Sequence, residues 1–231
     1  MNLWKPAFSS LLSLFLPRYC ISCGALSEND GWLCETCEKL LKSEKAGYSP
    51  EIIDADCNLR EERYFDSGIA LFPFHGVARS FIHALKYDGF TKSGTNIVFR
   101  ARHDIEKFAK DREIDGIIAV PLHKIKHLNR GFNQAEVLAE SIADITNWTV
   151  LKRVVIRSVN TKSQSHLSAE ERQENVAEAF TLFSGAIVRN KRFVLVDDVF
   201  TTGATINSMA RVLKRNGADR VFVLTATKAV K

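Results

Sequence analysis

The sequence lacks several features that would place a protein in a common class at once. The apolar stretch at residues 8–16 has nine residues, three of them serine, whereas a membrane-spanning helix needs about 20. No G-x-x-x-x-G-K-[ST] motif occurs, so the phosphate loop of nucleotide hydrolases is absent. Internal repeats and low-complexity tracts are absent as well. These absences exclude a membrane span in that stretch, a P-loop protein and a repeat architecture.

Cysteine is scarce, and the odd total of five among 231 residues argues against a disulfide framework. Four of the five form two C-x-x-C pairs, Cys20 with Cys23 and Cys34 with Cys37, with ten residues between the pairs. Two such pairs predict a tetrahedral, structural Zn²⁺ site, with a redox pair or an iron site as alternatives. Cys57 is expected to lie outside this site. Reduced thiolates also indicate a cytoplasmic location.

The apolar positions of residues 8–16 recur at intervals of three and four, which predicts a short amphipathic helix. We expect this helix to pack on the cysteine module or on the main domain. Contact with the inner face of the membrane is the alternative. A signal peptide is not expected, because no small-residue cleavage site precedes Cys20. The apolar positions are Phe8, Leu11, Leu12 and Phe15.

A change in composition divides the chain into two parts. Residues 42–63 are polar and charged and contain Gly47 and Pro50, which predicts a linker. The predicted domains are therefore a zinc module with its linker, residues 1–64, and a larger domain, residues 65–231. The larger domain alternates strand and helix patterns, which is typical of an α/β fold with a mostly parallel, doubly wound sheet. Predicted strands are residues 68–72, 114–120, 150–156, 193–196 and 220–227, and predicted helices cover residues 77–85, 94–108, 133–145 and 206–213.

The most informative stretch is F-V-L-V-D-D-V-F-T-T-G-A-T, residues 193–205. A short apolar run predicts a buried strand, two adjacent carboxylates follow it, and a loop of hydroxyl side chains and glycine precedes a helix. Free backbone N–H groups at the start of a helix bind phosphate, and paired carboxylates accept hydrogen bonds from ribose hydroxyls. This order therefore indicates a site for a phosphorylated sugar. The alternative is a buried strand that ends in a solvated turn, with Asp198 or Thr201 capping the helix.

Two further loops of the larger domain are candidates for the same site. The segment P-L-H-K-I-K-H-L-N-R-G-F-N-Q-A after the strand at 114–120 carries five basic side chains, which indicates an anion site unless it is a solvated basic loop. Residues 158–168 are polar and aperiodic, and a capping-box helix start follows them. That composition predicts a mobile lid over the site, with a plain surface connection as the alternative.

The stretch 193–205 resembles the 5-phosphoribosyl-1-pyrophosphate (PRPP) motif of type I phosphoribosyltransferases, and the whole chain resembles the ComF family. The shared motifs are C-x-x-C…C-x-x-C, L-K-Y-D-G, V-P-L…R-G-F-N-Q-A, T-K-S-Q-S-H-L…R-Q-E-N-V and V-L-V-D-D-V-F-T-T-G-A-T. Many members of this family carry a second cysteine pair, where this chain has only Cys57. The resemblance therefore implies one metal in the module rather than two.

The resemblance assigns roles to individual residues. It implies that Asp197 and Asp198 hold the ribose and that residues 201–205 hold the 5′-phosphate. It further implies a pyrophosphate loop after the strand at 114–120 and a flexible loop between residues 164 and 175. The phosphate residues are Thr201, Thr202, Gly203, Ala204 and Thr205, the pyrophosphate-loop residues are Pro121, Leu122, His123 and Arg130, and the flexible-loop residues are Gln164, Leu167, Arg172 and Asn175.

The function implied by the resemblance is Mg²⁺-dependent transfer of phosphoribosyl from PRPP to an unidentified acceptor, in a protein linked to DNA uptake and natural transformation. The alternative is a PRPP sensor without catalysis, associated with single-stranded DNA and the DNA-uptake machinery. The net charge of +5 suits a phosphate-rich ligand and permits weak nucleic-acid binding, but it selects neither. No residue is an evident general base for an acceptor, and the sequence indicates no oligomeric state.

Overall fold

Strands and helices alternate along the chain, as the sequence patterns predict. A computed structural model describes residues 19–27, 32–52, 56–59, 62–87, 89–122, 128, 130–157 and 179–230. In chain order the elements are α1 (Glu35–Lys45), β1 (Ser67–Pro73), α2 (Gly76–Tyr87), α3 (Thr91–Arg100), α4 (Arg102–Ala109), β2 (Gly116–Ala119), α5 (Gln134–Thr146), β3 (Val155–Arg157), β4 (Phe180–Leu182), β5 (Arg192–Phe200), α6 (Ala204–Arg215) and β6 (Arg220–Lys228). The predicted helix at residues 8–16 lies outside the described residues.

Four strands form a parallel sheet in the order β1-β6-β5-β2. β5 and β6 are its central strands, and their register places Asp197 of β5 opposite Thr225 of β6. All four carboxyl ends lie at one edge of the sheet, because every pairing in it is parallel. The predicted parallel sheet is confirmed, and its carboxyl edge carries the acidic pair.

Helices cover both faces of the sheet, and the alternation of side chains along β5 shows why. Val194 and Val196 face a core built with α2, α3, α4 and α5. Phe193 and Leu195 face a second core, which includes Met209 of α6. Successive strand residues point to opposite faces, so a run that is apolar at every position needs a cover on each side. The sheet is therefore doubly wound, as predicted.

Two predicted elements differ in the structure. The single helix expected at 94–108 is two helices, α3 and α4, because the chain breaks at Ala101, where φ is −104° and ψ is 17°. The strand expected at 150–156 is also divided. Val150 pairs with Ile117 at the edge of β2. Arg153 then takes a left-handed φ of 57°, which turns the chain, and the later residues pair instead with β4, a strand that was not predicted.

The segment predicted as a linker pairs with the sheet at residues 50–52. α1 extends to Lys45, inside the polar segment. Beyond it, the N–H of Ile52 donates to the carbonyl of Gly68, and the N–H of Ala70 donates to the carbonyl of Pro50. Polar composition thus misrepresents a stretch whose backbone groups are hydrogen-bonded to β1. Among the described helices, none combines the length and apolar character that a bilayer crossing requires.

Candidate functional site

The four cysteines of the two C-x-x-C pairs converge on one point. Their Sγ atoms all lie within 4.8 Å of one another, and those of Cys23 and Cys34 are 3.7 Å apart. A tetrahedral Zn²⁺ with Zn–S bonds near 2.3 Å requires sulfur atoms about 3.8 Å apart. The sequence brings them together through a tight turn that contains Gly24 at a φ of 72° and through Cys34, which is the N-cap of α1. The arrangement fits a closed metal site.

Two of these thiols have shifted pKa values of opposite direction. Burial opposes ionisation of Cys20, but the hydrogen bonds it accepts from backbone N–H groups, those of Cys23 and Cys34 among them, outweigh burial and lower its pKa to about 6. Burial, reinforced by the neighbouring cysteines, raises the pKa of Cys37 to about 12. A cluster with no cation therefore shares its protons unevenly, whereas a bound metal would deprotonate all four thiols.

The cysteine module is packed on the α/β domain rather than tethered to it. Cys20 and Cys37 belong to the same apolar core as α2 and α3. The ring of Trp32 meets that of Phe90 edge to face, at a centroid distance of 6.1 Å. Glu38 of α1 pairs with Arg100 of α3 at 3.0 Å. The metal site and the sheet therefore share one packed core.

The acidic pair lies at the carboxyl end of β5. The backbone N–H of Asp198 donates to Oδ1 of Asp197 at 2.8 Å, which orients that carboxylate. The hydroxyl of Thr227, on the adjacent strand β6, donates to the carbonyl of Asp198 at 3.0 Å. The Nζ atom of Lys86, in the last turn of α2, lies 2.9 Å from Oδ2 of Asp198. Three elements therefore fix this pair at the edge of the sheet.

The loop after β5 is tight, and glycine is required at its end. Gly203 is the N-cap of α6 and has a φ of 80°. A Cβ atom at this position would lie 2.8 Å from Cζ of Phe200, so the close approach excludes a side chain as well. The N–H of Ala204 donates to the hydroxyl of Thr202 at 3.3 Å. Ala204 and Thr205 belong to the first turn of the helix, whose early N–H groups and positive dipole end suit a phosphate group.

The segment between the cysteine module and β1 contacts this loop directly. The backbone N–H of Asn58 donates to the carbonyl of Thr202 at 3.0 Å. The fully buried side chain of Asn207, in α6, accepts a hydrogen bond from the N–H of Tyr64 at 2.7 Å and donates to the carbonyl of Glu62 at 2.9 Å. These bonds hold the segment against the loop and the helix that follows it.

The predicted basic loop is described in part. Pro121 and Leu122 follow β2 at the same sheet edge, while His123 and its neighbours to residue 127 lie outside the described residues. Asn133 anchors the next helix, because its amide donates to the carbonyl of Val120 at 3.0 Å and its Oδ1 caps α5. Arg130 lies over the ring of Tyr87 at 5.3 Å. The R-G-F-N-Q motif therefore joins the end of β2 to α5 and sets Arg130 beside α2.

The flexible-loop residues, Gln164, Leu167, Arg172 and Asn175, and the predicted lid at 158–168 all lie outside the described residues. Arg157, at the end of β3, is the last described residue before that segment. Its guanidinium lies 5.5 Å from the ring centre of Phe180. Burial lowers the pKa of Arg157, and the negative charge of Asp197 opposes that shift. Arg157 therefore lies within the electrostatic reach of the acidic pair.

Sequence reasoning did not assign a role to Lys86 or to Arg157. The signal for Lys86 was present, since it lies in the L-K-Y-D-G motif that the resemblance includes. Its partner Asp198 follows much later in the chain, and a periodicity argument pairs only residues close in sequence. Arg157 had no comparable signal, because it lies at the boundary of a predicted strand.

Comparison with known proteins agrees with this geometry. Residues 128–228, which include β5, the loop and α6, match the model of the phosphoribosyl transferase domain. Together with the parallel sheet, this match defines an α/β protein of the type I phosphoribosyltransferase fold with a four-cysteine cluster at its amino-terminal end.

The relatives indicate a particular family within that class. Competence protein F of Haemophilus influenzae is 27% identical over 224 residues, 91% of this chain and 96% of that protein. Competence protein ComFC of Streptococcus pneumoniae is 28% identical over 217 residues, 93% of this chain and 90% of that protein. DNA utilization protein YhgH of Salmonella typhi is 39% identical over 109 residues, 47% of each. The similarity to the two competence proteins extends over nearly the whole chain and supports a ComF family protein.

Proposed function

We propose that this protein binds PRPP together with Mg²⁺ at the carboxyl edge of the sheet and acts in DNA uptake during natural transformation. The observation that carries the proposal is the acidic pair at the end of β5, directly followed by a glycine-capped helix start within the matched domain. The names of its relatives, two competence proteins and a DNA utilization protein, support the link to DNA.

Each part of PRPP has a proposed partner. Asp197 and Asp198 accept hydrogen bonds from the ribose hydroxyls, and residues 201–205 bind the 5′-phosphate through backbone N–H groups, threonine hydroxyls and the helix dipole. Residues 121–123 and Arg130 form the wall for the diphosphate. From the family resemblance we also propose ligand contacts for Gln164, Leu167, Arg172 and Asn175.

Two metal ions have proposed places. Mg²⁺ is bound mainly by phosphate oxygens of the ligand with one or two protein carboxylates, and the acidic pair offers such groups. When bound, it would neutralise charge on the diphosphate as that group leaves.

Zn²⁺ is the proposed ion of the four cysteines, since their sulfur spacing fits it. The proposed domains are a zinc module with the segment that follows it, residues 1–64, and a phosphoribosyltransferase-like domain, residues 65–231. Reduced thiolates favour a cytoplasmic location, and contact with the inner membrane face is the alternative.

Transfer of phosphoribosyl to an acceptor is the first form of this proposal. The C1–diphosphate bond breaks with oxocarbenium character at C1, a nucleophile of the acceptor forms the new bond, and diphosphate leaves with the electron pair. The protein contributes position and charge stabilisation. The second form is PRPP sensing without turnover by a protein associated with single-stranded DNA. The name of YhgH, a DNA utilization protein, supports a link to DNA.

Calorimetry with PRPP and Mg²⁺ tests the binding site. Asp198→Asn retains the shape but loses a charged acceptor, so its affinity should fall about tenfold to a hundredfold. Wild-type protein that does not bind PRPP would contradict both forms of the proposal.

Measurement of diphosphate release against a panel of bases and amines then separates the two forms. A transferase releases diphosphate with at least one acceptor, and Asp198→Asn reduces that rate. A sensor supports no turnover, yet the same variant loses DNA uptake in cells. The proposal as a whole fails if the variant binds PRPP as the wild type does.

A further inference from the structure

The acidic pair creates an electrostatic problem at the proposed site. PRPP carries a phosphate at one end and a diphosphate at the other, and Asp197 and Asp198 would lie between them. Like charges a few ångströms apart repel, most strongly where water is partly excluded. A site that uses these carboxylates as acceptors therefore benefits from nearby positive charge that leaves some of their acceptor positions free.

Lys86 supplies positive charge at Asp198. Its Nζ atom lies 2.9 Å from Oδ2 of that carboxylate, and the two side chains are only 21% and 14% exposed. Lys86 is also in the last turn of α2, where the negative end of the helix dipole favours a cation. The position of this ammonium is therefore set by both the helix and the carboxylate.

Asp197 has a basic neighbour on another element. The guanidinium of Arg157, held against the ring of Phe180, interacts electrostatically with Asp197. Positive charge on β3 thus acts on Asp197, while Lys86 of α2 is in direct contact with Asp198.

We propose that Lys86 is a positioning residue of the PRPP site, which neutralises the charge of Asp198 and fixes its orientation. This inference rests on the proposed function. An ionised carboxylate has about four acceptor positions on its two oxygens, so a carboxylate paired with Lys86 still accepts hydrogen bonds from ribose hydroxyls. The ion pair reduces repulsion of the ligand's phosphates, and Lys86 acts through Asp198 rather than on PRPP.

The matched control is the ion pair between Lys214 and Asp66. Its atoms are 2.8 Å apart, the side chains are 25% and 18% exposed, and it lies at the opposite, amino-terminal edge of the sheet. Lys86→Gln should weaken PRPP binding about tenfold to a hundredfold. Lys214→Gln, with the same change of residue and net charge, should leave the affinity within about twofold of the wild type.

A double-mutant cycle separates positioning from a general structural effect. In the Asp198→Asn background the charge that Lys86 neutralises is gone, so adding Lys86→Gln should change the affinity by less than about twofold.

Lys86→Arg keeps the charge and should retain most of the binding that Lys86→Gln loses. The loss caused by Lys86→Gln should also shrink as salt rises, because ions screen the uncompensated carboxylate. Lys86→Met is a second charge-removing variant, and thermal unfolding confirms that each variant is folded.

The outcomes distinguish this inference from the proposed function. Wild-type protein that binds PRPP, with Lys86→Gln binding equally well, overturns the inference alone. An undiminished effect of Lys86→Gln in the Asp198→Asn background also overturns it, since Lys86 would then not act through Asp198. Wild-type protein that does not bind PRPP overturns both.

Discussion

The backbone N–H of Asn58 donates a hydrogen bond of 3.0 Å to the backbone carbonyl of Thr202. Asn58 belongs to the segment that leads away from the cysteine module, and Thr202 belongs to the proposed phosphate loop. Asn207 binds the same segment through two more hydrogen bonds. The segment is therefore part of the wall of the loop, so changes in it should be felt at the proposed site.

The amide of Asn207 provides a test of this contact. Asn207→Ala leaves the N–H of Tyr64 and the carbonyl of Glu62 without their partner, so the free energy of unfolding should fall by about 2–4 kcal/mol. Asn216→Ala, near the end of the same helix, removes an exposed hydrogen bond to Val212 and should cost less than about 1 kcal/mol. Urea denaturation measures both. Equal losses in the two variants would show that the segment is not held by Asn207.

Gly203 should tolerate alanine less well than Gly217, although both have positive φ angles, 80° and 89°. At Gly217 the nearest atom to an added Cβ is 3.4 Å away, in Arg189, so only the backbone conformation costs energy, about 1–2 kcal/mol. At Gly203 the contact of 2.8 Å with Phe200 adds to that cost, for a total of about 2–5 kcal/mol. Denaturation of the two alanine variants gives the comparison, and a smaller loss at Gly203 would contradict this account.

One Zn²⁺ per chain is expected, held by Cys20, Cys23, Cys34 and Cys37. Elemental analysis should find a full equivalent of zinc in the wild type and in Cys57→Ser, the matched control, and much less in Cys34→Ser. Chelation should also lower the melting temperature, because Cys20 and Cys37 are part of the shared core. Two zinc ions per wild-type chain, or full zinc in Cys34→Ser, would disprove the assignment.

Asp66 should make stability depend on pH in the acid range. Burial opposes its ionisation, but hydrogen bonds from Lys214, the N–H of Val221 and Arg220 outweigh burial and lower its pKa. A lowered folded-state pKa stabilises the protein above the unfolded-state value of about 3.9, and this stabilisation is lost as the pH falls through the folded-state value. Wild type should therefore be more stable than Asp66→Asn at pH 6.

The difference between the wild type and Asp66→Asn should shrink as the pH falls through the lowered folded-state pKa of Asp66, toward the lowest pH at which the protein is folded. Urea denaturation at the two pH values measures it. Glu35→Gln is the control, since Glu35 pairs with Lys39 where both side chains are 75% exposed, and it should change stability little at either pH. A difference for Asp66→Asn that stays constant with pH would exclude the proposed role.

Much of the sheet could be predicted because its signals are local. The apolar run 193–196, the adjacent carboxylates and Gly203 identify a strand, its end and a helix start from consecutive residues, and the structure has β5 and α6 there. The two C-x-x-C pairs likewise imply convergence, because each pair is a local turn. Whether these residues bind PRPP and zinc stays a prediction.

The parts that could not be predicted depend on contacts between distant residues. The polar segment at 42–63 reads as a linker, yet Ile52 is buried and its backbone pairs with Gly68. β4 has only three residues and is a strand because β3 lies beside it. The apolar periodicity of residues 77–85 predicts which face of the helix is buried, but it says nothing about the partner of Lys86. The ion pair between Lys86 and Asp198 is evident only in three dimensions.

The order of the strands also decides when the sheet can form during synthesis. β1 pairs along its length with β6, so Ser67 leaves the ribosome long before Phe222, the residue it faces. Contacts between segments so far apart in sequence close a long loop, which slows folding. The edge of β1 that later pairs with β6 must wait with its backbone groups unpaired, and such edges are prone to aggregation. A nascent chain that stops before residue 220 therefore has β1 without β6, so a correctly assembled sheet is itself a check that synthesis has passed the last strand of the sheet.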